Sequence, residues 1–413
     1  MSNFVSRKTI FPISVFILLL TVFFSPFNFS AFSFSGENPK DTLTLKEMLT
    51  PTFQKTKKKY ERKFNDMGRY LAGMLPEKNC VLDASLLNNA DWKLYHDTAD
   101  LNWTKYYTER VLALREWSYD EMGELNSKRF KFFYPFSGPD VLHGNMFFQN
   151  ADTTIMFGLE AVGYVPLMKT TNKDSVSNYI KVVNNSLYAV LNFSFFRTLA
   201  LQKDLTNKGT GGTLPLLMLL LERTGNRVLD VKGVNINKKG KLVYDELSKH
   251  KLGNVPGVEV TYCRGDSTHE SKLFYFKVDV SNSGLYNKTP EFASYMKNMG
   301  EVYTLIKSAS YLMHTEDFTL VRSLILKQSK IVLQDDSGIP HSYFVKNNFD
   351  YTLYGTYTGT ISLFSGKVQS GLIKAYKDET AKEKALYFGI GYKYHEGESN
   401  LVLYRKNKTS TPQ

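Results

Sequence analysis

From Lys128 onward, segments of strand-forming residues alternate with segments of helical periodicity. The patterns of buried strands appear in KRFKFFYPF and TTIMFGLE, with a helical pattern, DVLHGNMFF, between them. Residues 176–201 then place apolar side chains at helical spacing, and LPLLMLLLERTG is apolar enough for a buried helix. Chains with this rhythm form a mixed, largely parallel sheet flanked by helices. The sequence therefore predicts an α/β domain over residues 128–413.

The preceding segment, residues 36–127, has a helical pattern. Apolar residues recur there at steps of four and three, namely at Tyr60, Phe64, Met67, Leu71 and Met74. The same segment contains all three tryptophans, Trp92, Trp103 and Trp117. Burial of these rings in a helical core is favoured over an exposed aromatic wall for a sugar ring. We expect a helical subdomain packed on the sheet.

Residues 1–35 have the organisation of an export signal or a membrane anchor. Arg7 and Lys8 precede an uncharged apolar run, which ends in small residues that include Ala31 and Ser33. Cleavage after Ser33 is favoured over retention as a single anchor. We expect an exported protein, periplasmic, in the cell envelope or secreted, that contacts the membrane only through this segment if it is uncleaved.

The distribution of charge argues against nucleic-acid binding, and the two cysteines leave two states open. The net charge is +12, but apart from one run at residues 55–63 the basic residues are scattered, and a solvated helix face explains that run best. No zinc-finger spacing and no basic motif with interleaved aromatics occurs, so nucleic acid is not an expected partner. Cys80 and Cys263 either form one disulfide in an oxidising compartment or are free thiols.

Three predicted loops that follow strands contain polar residues suited to a site. Ligands of open α/β sheets bind outside the carboxyl ends of the strands. Carboxylates and imidazoles there serve as general acids and bases or bind a hard cation, and neighbouring carboxylates acquire separate pKa values. The candidate catalytic residues are Asp140, Glu160, Asp335 and Asp336. The candidate binding residues are Ser137, Gly138, His143 and His341.

The same residues also fit ordinary turns. Gly138 permits unusual backbone angles, Pro139 suits the first position of a helix, and Asp140 suits the positive end of the helix dipole. Taken singly, each loop is explained better by turn geometry. His143 and His341 are each better explained as structural residues.

No cofactor or metal is specified by a motif. The order strand, Gly138, helix, strand, Glu160 has the layout of a nucleotide-binding unit, but the G-x-G-x-x-G fingerprint is absent. The GTGG turn at residues 209–212 lacks the lysine of a phosphate loop. Neither G-x-S-x-G nor H-E-x-x-H occurs, so standard serine hydrolases and zinc proteases are unsupported.

Several longer blocks carry a resemblance. They are FYPFSGPD, FGLEAVG, SASYLMH, KIVLQDDSGIPHSYF and YGTYTGTISLF. Together they span residues 132–364 and resemble the recurring blocks of a family of uncharacterised exported bacterial proteins. The resemblance implies a common α/β fold and a bacterial envelope setting, and it implies no activity.

The carboxyl-terminal part, from Asp350 on, alternates as antiparallel strands do in YTLYGTYTGTISLF, ALYFGIGYKY and NLVLYRK, which predicts an extension of the sheet. Tyr351, Tyr354 and Tyr357 there are either packed strand residues or a glycan-binding surface. We therefore expect an exported bacterial envelope protein that binds or hydrolyses a small or carbohydrate-like ligand at the sheet-edge loops. The alternative is a non-catalytic structural or interaction protein, and the sequence does not decide whether the chain is an enzyme.

Overall fold

A ten-stranded sheet organises the part of the chain described by this computed structural model. The described residues are 60–166, 173–193, 211–245, 255–265, 267, 269–378, 383–394 and 398–407. The strands are β1 (Phe130–Tyr134), β2 (Ala151–Gly158), β3 (Asn226–Ile236), β4 (Leu242–Asp245), β5 (Pro256–Arg264), β6 (Glu270–Lys277), β7 (Val302–Ile306), β8 (Ser329–Gln334), β9 (Phe349–Gly355) and β10 (Asn400–Lys406). Their spatial order is β4-β3-β5-β6-β2-β1-β7-β8-β10-β9.

Parallel pairing occupies the centre of the sheet. β6, β2, β1, β7 and β8 are joined by parallel pairs. Antiparallel pairs extend this centre on both sides, through β5, β3 and β4 and through β10 and β9. The predicted α/β fold with a mixed sheet is confirmed, and so is the extension by carboxyl-terminal strands. The sheet is not largely parallel as expected, because parallel pairs join only the five central strands.

Helices cover both faces of the sheet. They are α1 (Arg62–Leu71), α2 (Ala84–Leu87), α3 (Ala90–Tyr106), α4 (Leu112–Glu121), α5 (Val141–Phe147), α6 (Lys173–Phe193), α7 (Leu214–Arg223), α8 (Pro290–Asn298), α9 (Thr319–Gln328), α10 (His341–Lys346) and α11 (Ser370–Lys377). A π-helical turn, Tyr107–Val111, joins α3 to α4.

Two hydrophobic cores follow from the two-residue period of the strands. In β1, Phe132 and Tyr134 point into the core beneath α1 to α7, whereas Phe133 points into the core beneath α8 to α11. Because both faces are covered, β1 is apolar almost throughout, as is typical of central parallel strands. Strand β2 alternates in the same way.

The helical part before the sheet shares the first of these cores. Trp92 and Trp117 are 2% and 4% exposed, and Trp103 is half-buried against the same cluster. The ring of Trp117 makes edge contacts with Phe147 and Tyr354 at centroid distances of 5.7 Å and 4.8 Å. The prediction of core tryptophans is confirmed for Trp92 and Trp117, which leaves no aromatic wall at these two rings.

One expected strand is absent. The segment ALYFGIGYKY was expected to pair in the sheet, but residues 385–394 form a loop beside a single bridge between Tyr354 and Lys384. Strand β9 is the edge strand on this side of the sheet, and this part of the chain pairs with it only at that bridge. Gly391 also adopts a left-handed backbone, with a φ of 73°, which interrupts an extended strand.

Cys80 and Cys263 are not joined in a disulfide; Cys263 is buried and Cys80 is half-buried. Residues 1–59, and with them the expected export segment, lie outside the described residues. In the described part of the chain, none of the helices combines the length and the hydropathy needed to span a membrane.

Candidate functional site

Four neighbouring parallel strands deliver polar residues to one edge of the sheet. Asp140 follows β1, Glu160 follows β2, Lys307 follows β7, and Asp335 follows β8. These strands are adjacent in the order β2-β1-β7-β8, and neighbouring strands lie about 4.8 Å apart, so the four residues fall within about 15 Å. The three predicted loops therefore meet. We call residues 136–140, 160, 307–311 and 335–337 the carboxyl-edge site.

Asp140 lies at the centre of a buried polar cluster. The Tyr134 hydroxyl donates to its Oδ2 at 2.7 Å, and Lys307 Nζ lies 3.0 Å from the same oxygen. Burial alone would raise the pKa of Asp140, but the hydrogen bonds from His143 and Tyr134 and the positive charge of Lys307 outweigh it and hold that pKa well below its usual range. Asp140 is therefore ionised at neutral pH and is unsuited to act as a general acid.

Asp140 also caps α5. Its side chain accepts from the His143 backbone N–H at 3.3 Å, which satisfies one of the unpaired amides at the helix start. The sequence placed Pro139 at the first helical position and Asp140 in the first turn; instead, the helix begins at Val141 and Asp140 is the cap. The segment FYPFSGPD is thus both a turn and a part of the site.

His143 is fully buried and contacts Asp140. Its Nδ1 lies 2.9 Å from Asp140 Oδ1. Burial lowers the pKa of His143 to about 4, although the Asp140 carboxylate opposes this shift. The imidazole is therefore neutral at pH 7, with Nδ1–H donating to the carboxylate, so Lys307 supplies the positive charge of the cluster.

Asp335 and Asp336 form a second buried acidic pair. Burial and the adjacent Asp336 raise the pKa of Asp335 to about 6, and burial raises the pKa of Asp336 as well. The two carboxylates have different partners. Asp335 accepts from the Ser308 N–H at 2.8 Å, whereas Asp336 accepts from the Tyr311 hydroxyl at 2.5 Å. Asp335 therefore exchanges its proton near neutral pH, as a general acid or base must.

The loop after β7 is strained. Ser308, Ser310 and Tyr311 all have left-handed backbones, with φ values of 50°, 52° and 54°. Such angles cost energy in residues other than glycine, and they cluster at functional sites where the surrounding structure maintains them. Two hydrogen bonds maintain this loop. The Ser308 N–H donates to Asp335, and the Ser310 N–H donates to the Tyr392 hydroxyl at 3.0 Å. Ser308 Oγ is buried and has no hydrogen-bond partner among the described residues.

Glu160 lies beside the glycines of the first loop. It is 5% exposed and accepts from the Tyr275 hydroxyl at 3.1 Å. A side chain at Gly158 would overlap Glu160 Oε2, and one at Gly138 would come within 3.8 Å of the same oxygen. Glycine is therefore required at position 158 for the carboxylate to fit.

Two of the predicted binding residues, His341 and Ser137, contact groups other than the carboxylates of the site. The ring of His341 contacts Tyr351 and Tyr404, with its Nδ1 2.9 Å from the Tyr404 hydroxyl. Burial lowers its pKa, and this first residue of α10 packs on the antiparallel strands β9 and β10. Ser137 donates only to the carbonyl of Gly138 at 3.1 Å, which is a local turn contact.

Half-exposed aromatic rings border the strained loop. The ring of Phe364 lies 4.8 Å from that of Tyr311 and 5.3 Å from that of Tyr392. Tyr311 is buried, whereas Phe364 and Tyr392 are half-buried. By contrast, two rings of the glycan surface considered from the sequence, Tyr354 and Tyr357, are 0% and 4% exposed and belong to the cores. The aromatic surface next to the carboxylates therefore comes from other residues.

Lys307, Tyr392 and the strained loop were not identified from the sequence. The segment VYTLIKSASYLM was compatible with a strand or a helix, and only its assignment as β7 brings Lys307 to the same edge as Asp140. The run KSASY directly after a buried strand was the available signal.

Among the described residues, no group of three or more His, Cys, Asp or Glu side chains is placed to hold a metal ion. No family model, curated protein or solved structure matches this chain.

Proposed function

We propose that this chain is an exported bacterial envelope protein that binds a small, carbohydrate-like ligand at the carboxyl-edge site. The observation that carries the proposal is the strained loop at residues 308–311. Asp335 maintains it on one side, and the half-exposed rings of Phe364 and Tyr392 border it on the other. Strain that buried contacts maintain beside an accessible surface is typical of binding sites.

The chemistry of this surface suits a polyol. Aromatic faces offer apolar area for the C–H groups of a sugar ring, and nearby polar groups fix its orientation. Ser310 is exposed beside these rings, and its hydroxyl lies 3.1 Å from that of Tyr392. An exposed hydroxyl of this kind both donates to and accepts from the hydroxyls of a polyol.

If the protein is an enzyme, the reaction at this site is hydrolysis of the bound ligand. Asp335, with its pKa raised to about 6, would act as the general acid or base, while Asp140 stays ionised and positions Lys307. The non-catalytic alternative is supported by the burial of Asp140, His143 and Lys307, which are 3%, 0% and 3% exposed and bind one another.

Thermal melting with neutral saccharides tests the proposal. A ligand that binds only the folded state raises the melting temperature. A panel of monosaccharides and short oligosaccharides should contain a compound that raises the melting temperature of the wild-type protein. Phe364→Ala should abolish this increase, and the control Leu363→Ala should keep it because Leu363 is the adjacent, 79% exposed residue.

Either of two results would overturn the proposal. One is a panel without any effect on the wild-type protein. The other is an increase that Phe364→Ala leaves unchanged. Release of reducing ends from the binding saccharide, measured for wild type and Asp335→Asn, then separates a hydrolase from a binding protein.

A further inference from the structure

A cavity lies at the edge of the parallel strands opposite the carboxyl-edge site. Its volume is about 100 Å³. Arg129 and Asn150 precede β1 and β2, and Ser271 lies near the start of β6. The length of β1, five residues, separates this cavity from the carboxyl-edge site by about 15 Å.

Three arginines converge on this cavity. Arg115 reaches it from α4, Arg129 from the segment before β1, and Arg264 from the end of β5. None of the three forms an ion pair with a carboxylate of the described residues, and no described carboxylate lines the cavity; Asp266 lies outside the described residues. The guanidinium groups therefore lack a counter-ion within the described part of the chain.

The partners of these arginines are neutral. Arg115 donates to the Tyr107 hydroxyl at 3.3 Å and to the Thr224 carbonyl at 3.1 Å, and its buried Nε has no acceptor among the described residues. Arg264, an exposed residue at the rim, donates to Gln149 Oε1 at 2.7 Å. These bonds orient the guanidinium groups of Arg115 and Arg264 and leave all three arginines without a carboxylate partner among the described residues.

The pKa of Arg264 reflects its protein surroundings and the nearness of the other two arginines. The surrounding protein atoms and the positive charges of Arg115 and Arg129 lower the pKa of Arg264 to about 10. Positive charges that are held close together repel one another. An anion placed between them attracts each of them and so offsets this repulsion.

The floor of the cavity is rigid. Thr224 Oγ1 accepts from Asn226 Nδ2 at 2.9 Å and from Asn145 Nδ2 at 3.1 Å, and it donates to the Leu220 carbonyl at 2.8 Å. Thr224 and Asn226 are 4% and 6% exposed. A buried floor with satisfied polar groups preorganises the arginines above it and limits the entropy lost on binding.

We propose that this cavity, lined by Arg115, Arg129 and Arg264, is a binding site for an oxyanion, the phosphate or sulfate group of a ligand. Guanidinium groups match the oxygen atoms of phosphate in paired hydrogen bonds. Drug-sized ligands occupy about 300 Å³ or more, so the smaller volume here suits the anionic group alone and leaves the rest of the ligand outside. The site does not depend on the carboxyl-edge site.

Titration calorimetry with inorganic phosphate and sulfate, at an ionic strength kept constant with chloride, tests this site. Wild type should bind at least one of these anions, and Arg129→Gln and Arg264→Gln should each raise its dissociation constant about tenfold through the loss of charge-assisted hydrogen bonds. The control Lys239→Gln removes the same charge at an exposed turn between β3 and β4, and it should leave the dissociation constant within about twofold because exposed charges are screened.

Absence of binding to both anions, or equal losses in the arginine variants and Lys239→Gln, would overturn the proposal. Two further probes identify the source of the oxyanion. Co-sedimentation with phosphatidylglycerol vesicles, but not with phosphatidylcholine vesicles, that is lost in Arg129→Gln assigns a lipid headgroup. Binding of glucose 6-phosphate without vesicle binding assigns a soluble phosphate ester.

Discussion

Lys307 Nζ lies 3.0 Å from Asp140 Oδ2, and the two side chains are 1% and 4% exposed. The residues follow adjacent parallel strands, β7 and β1, so this ion pair joins two loops of the carboxyl-edge site. A buried ion pair is costly to form, and removing one partner leaves the other charge buried and uncompensated. The pair therefore fixes the geometry of the site whether or not it touches a ligand.

Lys307→Met should destabilise the protein by about 3–5 kcal/mol, because it leaves the Asp140 carboxylate buried without its cation. Urea denaturation measures the loss. The control Lys330→Met removes an exposed ion pair with Glu301 and should cost less than about 1 kcal/mol.

Adding Asp140→Asn to Lys307→Met removes the uncompensated charge. The double variant should therefore lose less stability than the two single variants summed. Strictly additive losses would show that the two side chains are not coupled.

Asp335 should make stability depend on pH. Its folded-state pKa is raised to about 6 from 3.8, so its contribution to stability is fully present below pH 3.8 and is lost as the pH rises through 6. The free energy of unfolding of wild type minus that of Asp335→Asn should therefore fall by about 2 kcal/mol between pH 4 and pH 7. Urea denaturation across this range measures the difference, and a constant or rising difference contradicts the assignment.

Gly158→Ala should cost about 1–3 kcal/mol, because the new methyl group would overlap the Glu160 carboxylate and lie 2.8 Å from the Tyr275 hydroxyl. Its control is Gly371→Ala in α11, where no atom lies within 4 Å of the added carbon. This control should be neutral or slightly stabilising in urea denaturation. Equal effects of the two substitutions would show that the close approach to Glu160 is unimportant.

Trp117→Ala should cost about 3–5 kcal/mol, because its ring fills the core between α4 and the sheet and contacts Phe147, Tyr354 and Phe388. Trp103→Ala should lower the free energy of unfolding by less, because Trp103 is only half-buried. Thermal melting of Trp117→Ala should still show one transition. Two separate transitions would mean that the helical part and the sheet unfold independently.

Strand and helix patterns were sufficient to predict the α/β class, since β1, β2 and β8 each contain a short apolar run next to turn residues. The loops around Asp140, Glu160 and Asp335 were also predictable, because carboxyl ends of parallel strands share an edge. Strand order was not encoded in any local pattern. Without the pairing of β7 with β1 and β8, the sequence could not place Lys307 beside Asp140.

His341 was a candidate binding residue from its position after DDSGIP, and a structural role was favoured for it when it was taken singly. Helix α10 begins at this residue, and its ring contacts Tyr404. The cavity lined by Arg115, Arg129 and Arg264 was invisible in the sequence, because its arginines are scattered along the chain and meet only in the fold.

Amide hydrogen exchange tests the central claim most directly. It is measured on the wild-type protein with and without the saccharide that gives the largest increase in melting temperature. The account predicts that the saccharide slows exchange in peptides that cover residues 307–311 and 335–337 and leaves the peptides of β3 and β5 unchanged. Unchanged exchange at residues 307–311 and 335–337, with slowed exchange elsewhere, would contradict a ligand site at this edge of the sheet.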